Sequence, residues 1–593
     1  MALQSLAQSD PVAAAGKALS TGNLLLAYDI ATSALEWRSN EPRLRYYQVL
    51  ALARMGEVDR ASRLYDRHLA GETDLDTMAL GARLMKDAAW RAGGPDQGRL
   101  LREASAAYET IFAQTGDAFP AINSASLAFL AGDADRAGRL ARSALDAVGP
   151  QPMDYYAAAT AAEAELLLGN EAAALRAIDL ALTLPGCDQG ARSSTTRQLA
   201  HIAEAAGRGT AMIDRLRPPP VITYSGHMFV AGIEAEHRLR AQVEVALAEL
   251  GSTIAFGALA CGADIVIAEA LLDRGGQLDV VLPYQEEDFL RTSVLPGGEG
   301  WVERFYRCLE RATEVVITSE THALGDDRQF KYASMLMMGY ARLRAIYLDT
   351  RAVQLAVWDE QPAEGNAGTG ADVRLWGERG GTSYIIPFDR SDLDRPRSPS
   401  LGTPVAATRS VRGMIFADFA GFSRIDEVAL PDFWESVLGR VAAVVERYEA
   451  DICSRNTWGD ALYVVTRNVT SAANLALDLQ TEMAQIQLST FGLGAGLRVS
   501  AHLGAVYEAI DPVTGRTTFF GREVNRTARI EPIASVGEVY VTRAFGAVLA
   551  MDAPEDFTLS YVGRVTLAKK SGEERMYRLT RRDTSANRSS AAA

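Results

Sequence analysis

From the N-terminus to about residue 215, apolar positions recur at three- and four-residue spacing. The segments are rich in Ala, Leu and Arg and poor in β-branched residues, a pattern that predicts helices. A turn recurs among them: Gly22-Asn23, Gly56-Glu57, Gly132-Asp133 and Gly169-Asn170. Five residues after each glycine stands an alanine, Ala27, Ala61, Ala137 and Ala174. The first two turns are 34 residues apart and the last two 37, while 76 residues, about two irregular repeats, separate Gly56 from Gly132. A small residue set back from a helix–helix turn lets paired helices approach closely, so residues 1–215 are expected to stack as an all-α array.

Arg217-Pro218-Pro219-Pro220 cannot continue a helix and ends this region. Short apolar runs then alternate with helical segments. VITYSG (221–226), STIAFG (252–257), LDVVLP (278–283), EVVITS (314–319) and RAIYLD (344–349) read as buried strands. Residues 234–250 and 263–275 read as helices between them. This alternation predicts a mostly parallel, doubly wound sheet over residues 221–388. Two strands run into glycine-bearing turns, SGHM (225–228) and GALACGAD (257–264), and ligands of such sheets bind at the carboxyl ends of strands.

Residues 389–410 are polar and rich in Pro and Ser, which marks a linker, and residues 583–593 read as a disordered tail. Between them, over 411–582, an apolar strand (411–417) delivers Asp418 into the turn Asp418-Phe419-Ala420-Gly421-Phe422-Ser423. Thr457-Trp458-Gly459-Asp460 then joins two strand-like runs, ADICS (450–454) and ALYVV (461–465), as a hairpin tip exposing a carboxylate. Two aspartates at neighbouring strand ends are suited to two Mg²⁺ or Mn²⁺ ions, which favour oxygen ligands. The turn after Asp418 offers backbone N–H groups to phosphate, and Gly421 permits close approach. In Phe520-Gly521-Arg522-Glu523-Val524-Asn525-Arg526-Thr527-Ala528-Arg529-Ile530, a helix places Asn525 and Arg529 on one face. An amide beside a guanidinium suits a ribose oxygen and a phosphoryl group whose charge grows during reaction.

Composition narrows the setting. The formal net charge of −15 disfavours non-specific binding to nucleic acid or to an anionic membrane. No run approaches the roughly 20 apolar residues of a membrane helix, and the N-terminal residues lack the basic flank and apolar core of a secretion signal. Cys187, Cys261, Cys308 and Cys453 lie far apart without metal-ligand spacing and are expected to be buried thiols. A cytoplasmic protein is the expectation.

The helical region resembles a divergent tetratricopeptide-type array, which implies a surface for a protein partner. The middle region is weakly similar to the Rossmann-like family of the DNA-processing protein A and the cytokinin-activating phosphoribohydrolases. A small nucleotide-like ligand is implied there, and PGGEG (296–300) resembles the second group's PGGxGT loop without its Thr. From Arg412 to Leu579 the chain resembles the class III adenylyl and guanylyl cyclases, whose catalytic domain is an α+β, ferredoxin-like fold. The resemblance implies conversion of a nucleoside triphosphate to its 3′,5′-cyclic monophosphate and pyrophosphate. Asp418 and Asp460 match the family's metal aspartates, and Asn525 and Arg529 its transition-state pair. Phe419 to Ser423 match its phosphate-binding turn. AHLG (501–504) matches a structural turn, so His502 is given no catalytic role.

The departures concern the substrate. The family's base-reading positions fall on Asn456 and Thr518, both able to donate and to accept, so guanine and pyrimidine bases stay open beside adenine. ATP is the preferred expectation. The family's late phosphate-binding Lys is displaced, and Lys569 is the candidate. One chain carries one copy of every element, and the family shares each site between subunits, so the resemblance implies a homodimer. A catalytically silent nucleotide-binding scaffold is the alternative.

Overall fold

The computed structural model describes residues 9–582, apart from 93, 210, 231–232, 320–321, 324–326, 364, 366, 390–392, 395, 397–408, 495 and 569–571. The chain forms two compact units, residues 3–219 with Arg344–Arg351, and residues 220–343 with 352–584.

The first unit is all-helical: α1 (Pro11–Ser20), α2 (Leu24–Leu35), α3 (Pro42–Arg54), α4 (Val58–His68), α5 (Leu75–Ala92), α6 (Gly94–Thr115), α7 (Ala118–Leu130), α8 (Ala134–Val148), α9 (Tyr155–Leu167), α10 (Glu171–Ala181) and α11 (Gln189–Ala205). The four recurrent turns share one geometry. Gly22, Gly56, Gly132 and Gly169 all have positive φ, between 67° and 87°. The amide after each glycine donates five residues back: Asn23 to Ala18, Glu57 to Leu52, Asp133 to Ala128 and Asn170 to Glu165. This is the left-handed helix C-terminus that glycine adopts at little cost. The alanine five residues on is fully or almost fully buried in all four cases. Residues Arg344–Arg351 complete the unit: Thr350 Oγ1 donates to Pro218 O at 2.6 Å, and Arg344 Nη2 to Thr21 O at 3.0 Å.

The second unit holds two sheets. The first contains β1 (Val221–Gly226), β2 (Ile254–Gly257), β3 (Gln277–Leu282), β4 (Glu314–Ile317), β5 (Ala352–Trp358) and β6 (Thr382–Pro387), in the order β4-β3-β2-β1-β5-β6. All pairings are parallel, as expected for a doubly wound domain. Helices α12 (Ile233–Leu250), α13 (Ala263–Asp273), α14 (Glu299–Arg311), α15 (Arg328–Tyr347) and α16 (Thr369–Gly377) run between strands. The expected strand at 344–349 is not one: Arg344–Tyr347 is the last turn of α15, and the strand begins at Ala352. The helix ends on Asp349, whose φ is +53°, with Thr350 N donating to Ala345 O. An aspartate takes the left-handed place that usually advertises itself as Gly or Asn.

The second sheet is mixed and eight-stranded: β7 (Arg409–Asp418), β8 (Ile452–Trp458), β9 (Ala461–Thr466), β10 (Arg498–Ile510), β11 (Thr517–Phe520), β12 (Val539–Thr542), β13 (Phe557–Thr566) and β14 (Glu573–Arg581). Its order is β13-β14-β12-β10-β7-β9-β8, with β11 paired to β10. Helices α17 (Gly439–Glu446), α18 (Val469–Met483), α19 (Arg522–Ile530) and α20 (Arg543–Asp552) complete an α+β domain. AHLG lies within β10 rather than at a turn, because its four residues, all buried, continue the strand's central run, buried on both faces. The tail at 583–593 and most of the linker lie outside the described residues.

Candidate active site

Asp418 is the last residue of β7, and Arg498, the first of β10, is its antiparallel register partner. Arg498 Nε lies 3.0 Å from Asp418 Oδ1, and Nη2 lies 2.7 Å from each carboxylate oxygen. The same guanidinium is 3.0 Å from Glu531 Oε1, just beyond α19. Asp460 arrives from the tip of the β8–β9 hairpin, where Gly459 takes φ +65°. Phe419 N donates to Asp460 Oδ2 at 3.2 Å, which ties the two expected metal aspartates together at neighbouring strand ends.

The turn between them is anchored by aromatic packing. The rings of Phe419 and Phe422 lie 5.1 and 5.4 Å from Phe433, which in turn packs 5.5 Å from Phe491. Gly421 has φ +92°, and Phe422 N closes the turn onto Phe419 O at 3.0 Å. With the Phe419 and Phe422 amides engaged inside the turn, the phosphate expectation rests on Ala420, Gly421 and Ser423.

Asn525 and Arg529 both lie on α19, as the spacing predicts. Glu523, Thr527 and Ile530 form its buried face, while Asn525 is exposed and Arg529 half-buried. Thr527 O accepts from Ser500 Oγ at 3.1 Å, pinning the helix to β10. Of the base-reading candidates, Asn456 is exposed on β8 and Thr518 half-buried on β11. Ser454 Oγ donates to Thr517 O at 3.1 Å, so their two strands are neighbours. Lys569 lies outside the described residues. His502 is buried; its Nε2 is 2.8 Å from Glu523 Oε2 and its Nδ1 2.8 Å from Thr542 Oγ1.

The electrostatics suit a divalent cation. Burial pushes the Asp460 carboxyl up, opposed by the Phe419 amide, and the neighbouring Asp418 adds to the rise. Burial raises the Glu531 carboxyl to about 8, with the Asp418 carboxylate adding to it. A bound cation would relieve the mutual repulsion of these acidic groups, and their hard oxygens fit Mg²⁺ or Mn²⁺. Among the described residues, no three Asp, Glu, His or Cys side chains form a ready metal cage. Asp418 and Asp460 are the two expected donors, brought to neighbouring strand ends. Arg498 and Glu531 carry no local sequence signal beyond an Arg that opens the strand containing AHLG.

In the α/β domain, the strand order reverses between β1 and β5, where such folds bind ligands. His227 Nε2 and Asp359 Oδ1 meet there at 2.9 Å. Asp264 and Asp372, both buried, are pushed up to about 7 by burial. PGGEG runs into the N-terminus of α14, where a side chain at Gly297 would strike Cys261 and Trp301, so the loop is packed inward there. Cys261 and Cys308 are buried as expected, and burial lifts both thiols to about 12. Cys187 and Cys453 are only half-buried, against expectation, since each sits at the rim of its domain's packing.

Residues 406–581 match the family described as the adenylate and guanylate cyclase catalytic domain, and residues 25–128 match the tetratricopeptide repeats-sensor family. The chain thus carries a nucleotide cyclase catalytic domain behind an N-terminal repeat region. Similar solved structures include the adenylyl cyclase CyaB from P. aeruginosa, at 17% identity over 30% of this chain and 96% of that one, with a TM-score of 0.26. The guanylate cyclase domain of RhGC from Catenaria anguillulae, solved in complex with GTP, shows 19% identity over 30% of this chain and 100% of its own, also at 0.26. An adenylate cyclase from Trypanosoma brucei, solved in its monomeric state, shows 21% identity over 28% and 87%, at 0.26. No curated protein matches the chain. No helix among the described residues is long and apolar enough to cross a membrane.

Proposed function

We propose that the protein cyclises a nucleoside triphosphate, preferentially ATP, to the 3′,5′-cyclic monophosphate and pyrophosphate. The observation that carries this reading is the meeting of Asp418 and Asp460 through the Phe419 amide, inside a segment matching the cyclase catalytic family. Asp418 and Asp460 would hold two Mg²⁺ or Mn²⁺ ions, which supply charge neutralisation and a more acidic ribose 3′-hydroxyl. The amides of Ala420, Gly421 and Ser423, with Lys569, bind the phosphates. Asn525 orients the ribose, and Arg529 offsets charge developing on the α-phosphate. Asn456 donates to adenine N1 and Thr518 accepts from its amino group.

The working form is a homodimer in which one protomer supplies the aspartates and its partner Asn525, Arg529 and the base readers. Exposed apolar side chains near the site support a second copy: Trp458, Ile510, Val513 and Phe520 all stand on the β8–β9 and β10–β11 hairpins. The repeats and the α/β domain regulate this activity, the first through a protein partner and the second through a small nucleotide-like ligand.

The deciding experiment incubates the purified protein with Mn²⁺ and each of the four ribonucleoside triphosphates, then identifies products by mass spectrometry. Cyclic AMP as the dominant product is expected. A different cyclic nucleotide moves the base assignment, and none at all leaves the silent scaffold.

A further inference from the structure

Glu314 opens β4, the edge strand of the α/β sheet, and its carboxylate lies among three arginines of the cyclase domain. Arg575 Nη1 on β14 stands 2.8 and 2.9 Å from its two oxygens, and Arg543 Nη1, the first residue of α20, 3.0 Å away. Arg564 Nη2 on β13 follows at 3.7 Å. The Arg575 side chain is only 7% exposed. The Arg543 guanidinium also lies 4.1 Å over the ring of Tyr340 on α15. The arginines hold the Glu314 carboxyl far below the usual carboxylate range although it is only partly exposed.

A cavity of about 270 Å³ adjoins this cage, lined by β4, by Tyr332 and Leu336 of α15, and by His502, Glu523 and Arg526. Two routes lead from the α/β domain to the rear of α19. Along one, Arg543 follows Thr542, whose Oγ1 meets His502 Nδ1, and His502 Nε2 holds Glu523. Tyr332 reinforces it by donating to Leu503 O at 2.7 Å. Along the other, Arg575 follows Glu574, whose Oε2 holds Arg526 Nη1 at 2.7 Å. Glu523 and Arg526 belong to α19, whose opposite face carries Asn525.

We infer that Glu314 is a positioning residue: by gathering Arg543, Arg564 and Arg575 it seats the α/β domain behind α19 and sets the orientation of Asn525 and Arg529. This rests on the cyclase reading for its catalytic consequence but not for its structural one. Removing the carboxylate leaves three guanidiniums converging with less negative charge among them, unfavourable above all at Arg543 and Arg575, the two more buried. The cage should then open and α19 lose its support, while the surfaces proposed to hold base and phosphates stay in place.

The test compares the full chain with Glu314→Gln, Glu314→Asp and Tyr332→Phe by steady-state kinetics and by amide hydrogen exchange of residues 522–530. Glu314→Gln should lower kcat at least tenfold while KM moves less than threefold, and should raise exchange in this helix at least fivefold. Glu314→Asp should recover part of both, since it keeps the charge. Wild-type kcat and unchanged exchange in Glu314→Gln would overturn the inference. If that variant does not fold, Tyr332→Phe decides, with a selective kcat loss of threefold or more expected and no change overturning. If the parent chain turns over no nucleotide, the cyclase reading fails and exchange alone judges Glu314.

Discussion

Arg498 grips Asp418 with two nitrogens, reaching both carboxylate oxygens from the directly opposed position of the neighbouring strand. The aspartate proposed to bind metal is therefore held in place before any cation arrives. A divalent ion would share this carboxylate with the guanidinium, whose second anchor is Glu531.

Asp418→Ala and Asp460→Ala are each expected to lower turnover at least about a hundredfold, because each removes a hard-oxygen donor. They should differ in stability. Asp460→Ala removes a half-buried hairpin-tip group held by one long amide hydrogen bond, whereas Asp418→Ala leaves Arg498 half-paired and should cost about 1–3 kcal/mol. Product formation and urea unfolding check the two halves; wild-type turnover in either variant removes the metal assignment.

Two inactive variants should restore each other if sites are shared between subunits. Mixed in equal amounts, Asp418→Ala and Arg529→Ala chains should regain about a quarter of wild-type activity, since half of the dimers are mixed and each has one intact site of two. No recovery despite demonstrated subunit exchange would place each site within one chain.

Asn456→Lys should keep or raise ATP turnover and depress use of GTP and UTP. An ammonium only donates, whereas the ring N–H of guanine or uracil needs an acceptor. An unpaired polar edge in the closed site costs about 1–3 kcal/mol, roughly ten- to a hundredfold in selectivity. Loss of ATP cyclisation in a folded, dimeric variant would remove the case for adenine.

Asp264 and Asp372 make the stability of the α/β domain pH-dependent. Both carboxyls sit near 7 when folded and near 4 when unfolded, so the folded state holds more protons between those values. Their contribution is fully present below the unfolded value and is lost as pH rises through 7, by up to about 1.4 kcal/mol per pH unit per carboxyl. Asp372→Asn should flatten the profile between pH 5 and 8 and match or exceed the parent's stability at pH 8. Chemical denaturation across that range is the measurement, and an unchanged slope contradicts it.

Sequence revealed most where the backbone demands one residue type. The turns at Gly22, Gly56, Gly132 and Gly169 were legible because a left-handed helix end selects glycine. The end of α15 was not, because Asp349 does the same work without the usual signature, so the last helical turn, Arg344–Tyr347, reads as a strand. The placement of the candidate aspartates, Asn525 and Arg529 followed from local spacing on a turn or a helix. Arg498 was hidden because its link to Asp418 is a cross-strand register over 80 residues, which no local pattern encodes. The Glu314 cage was hidden for the same reason, two of its arginines, Arg543 and Arg575, standing 229 and 261 residues away.

Helix α15 is divided between the two units. Its residues to Leu343 belong to the unit that carries both sheets, and Arg344–Arg351 belong to the helical unit, where Leu348 fills the space beside Gly22. The helical unit is therefore not a contiguous stretch of gene. A chain stopped at the Pro218-Pro219-Pro220 break would lack the eight-residue plug that Arg217 and Pro218 bind, through Asp349 O and Thr350 Oγ1. Swapping the repeats for those of another protein would likewise require carrying this insert along, as a key is cut with its lock.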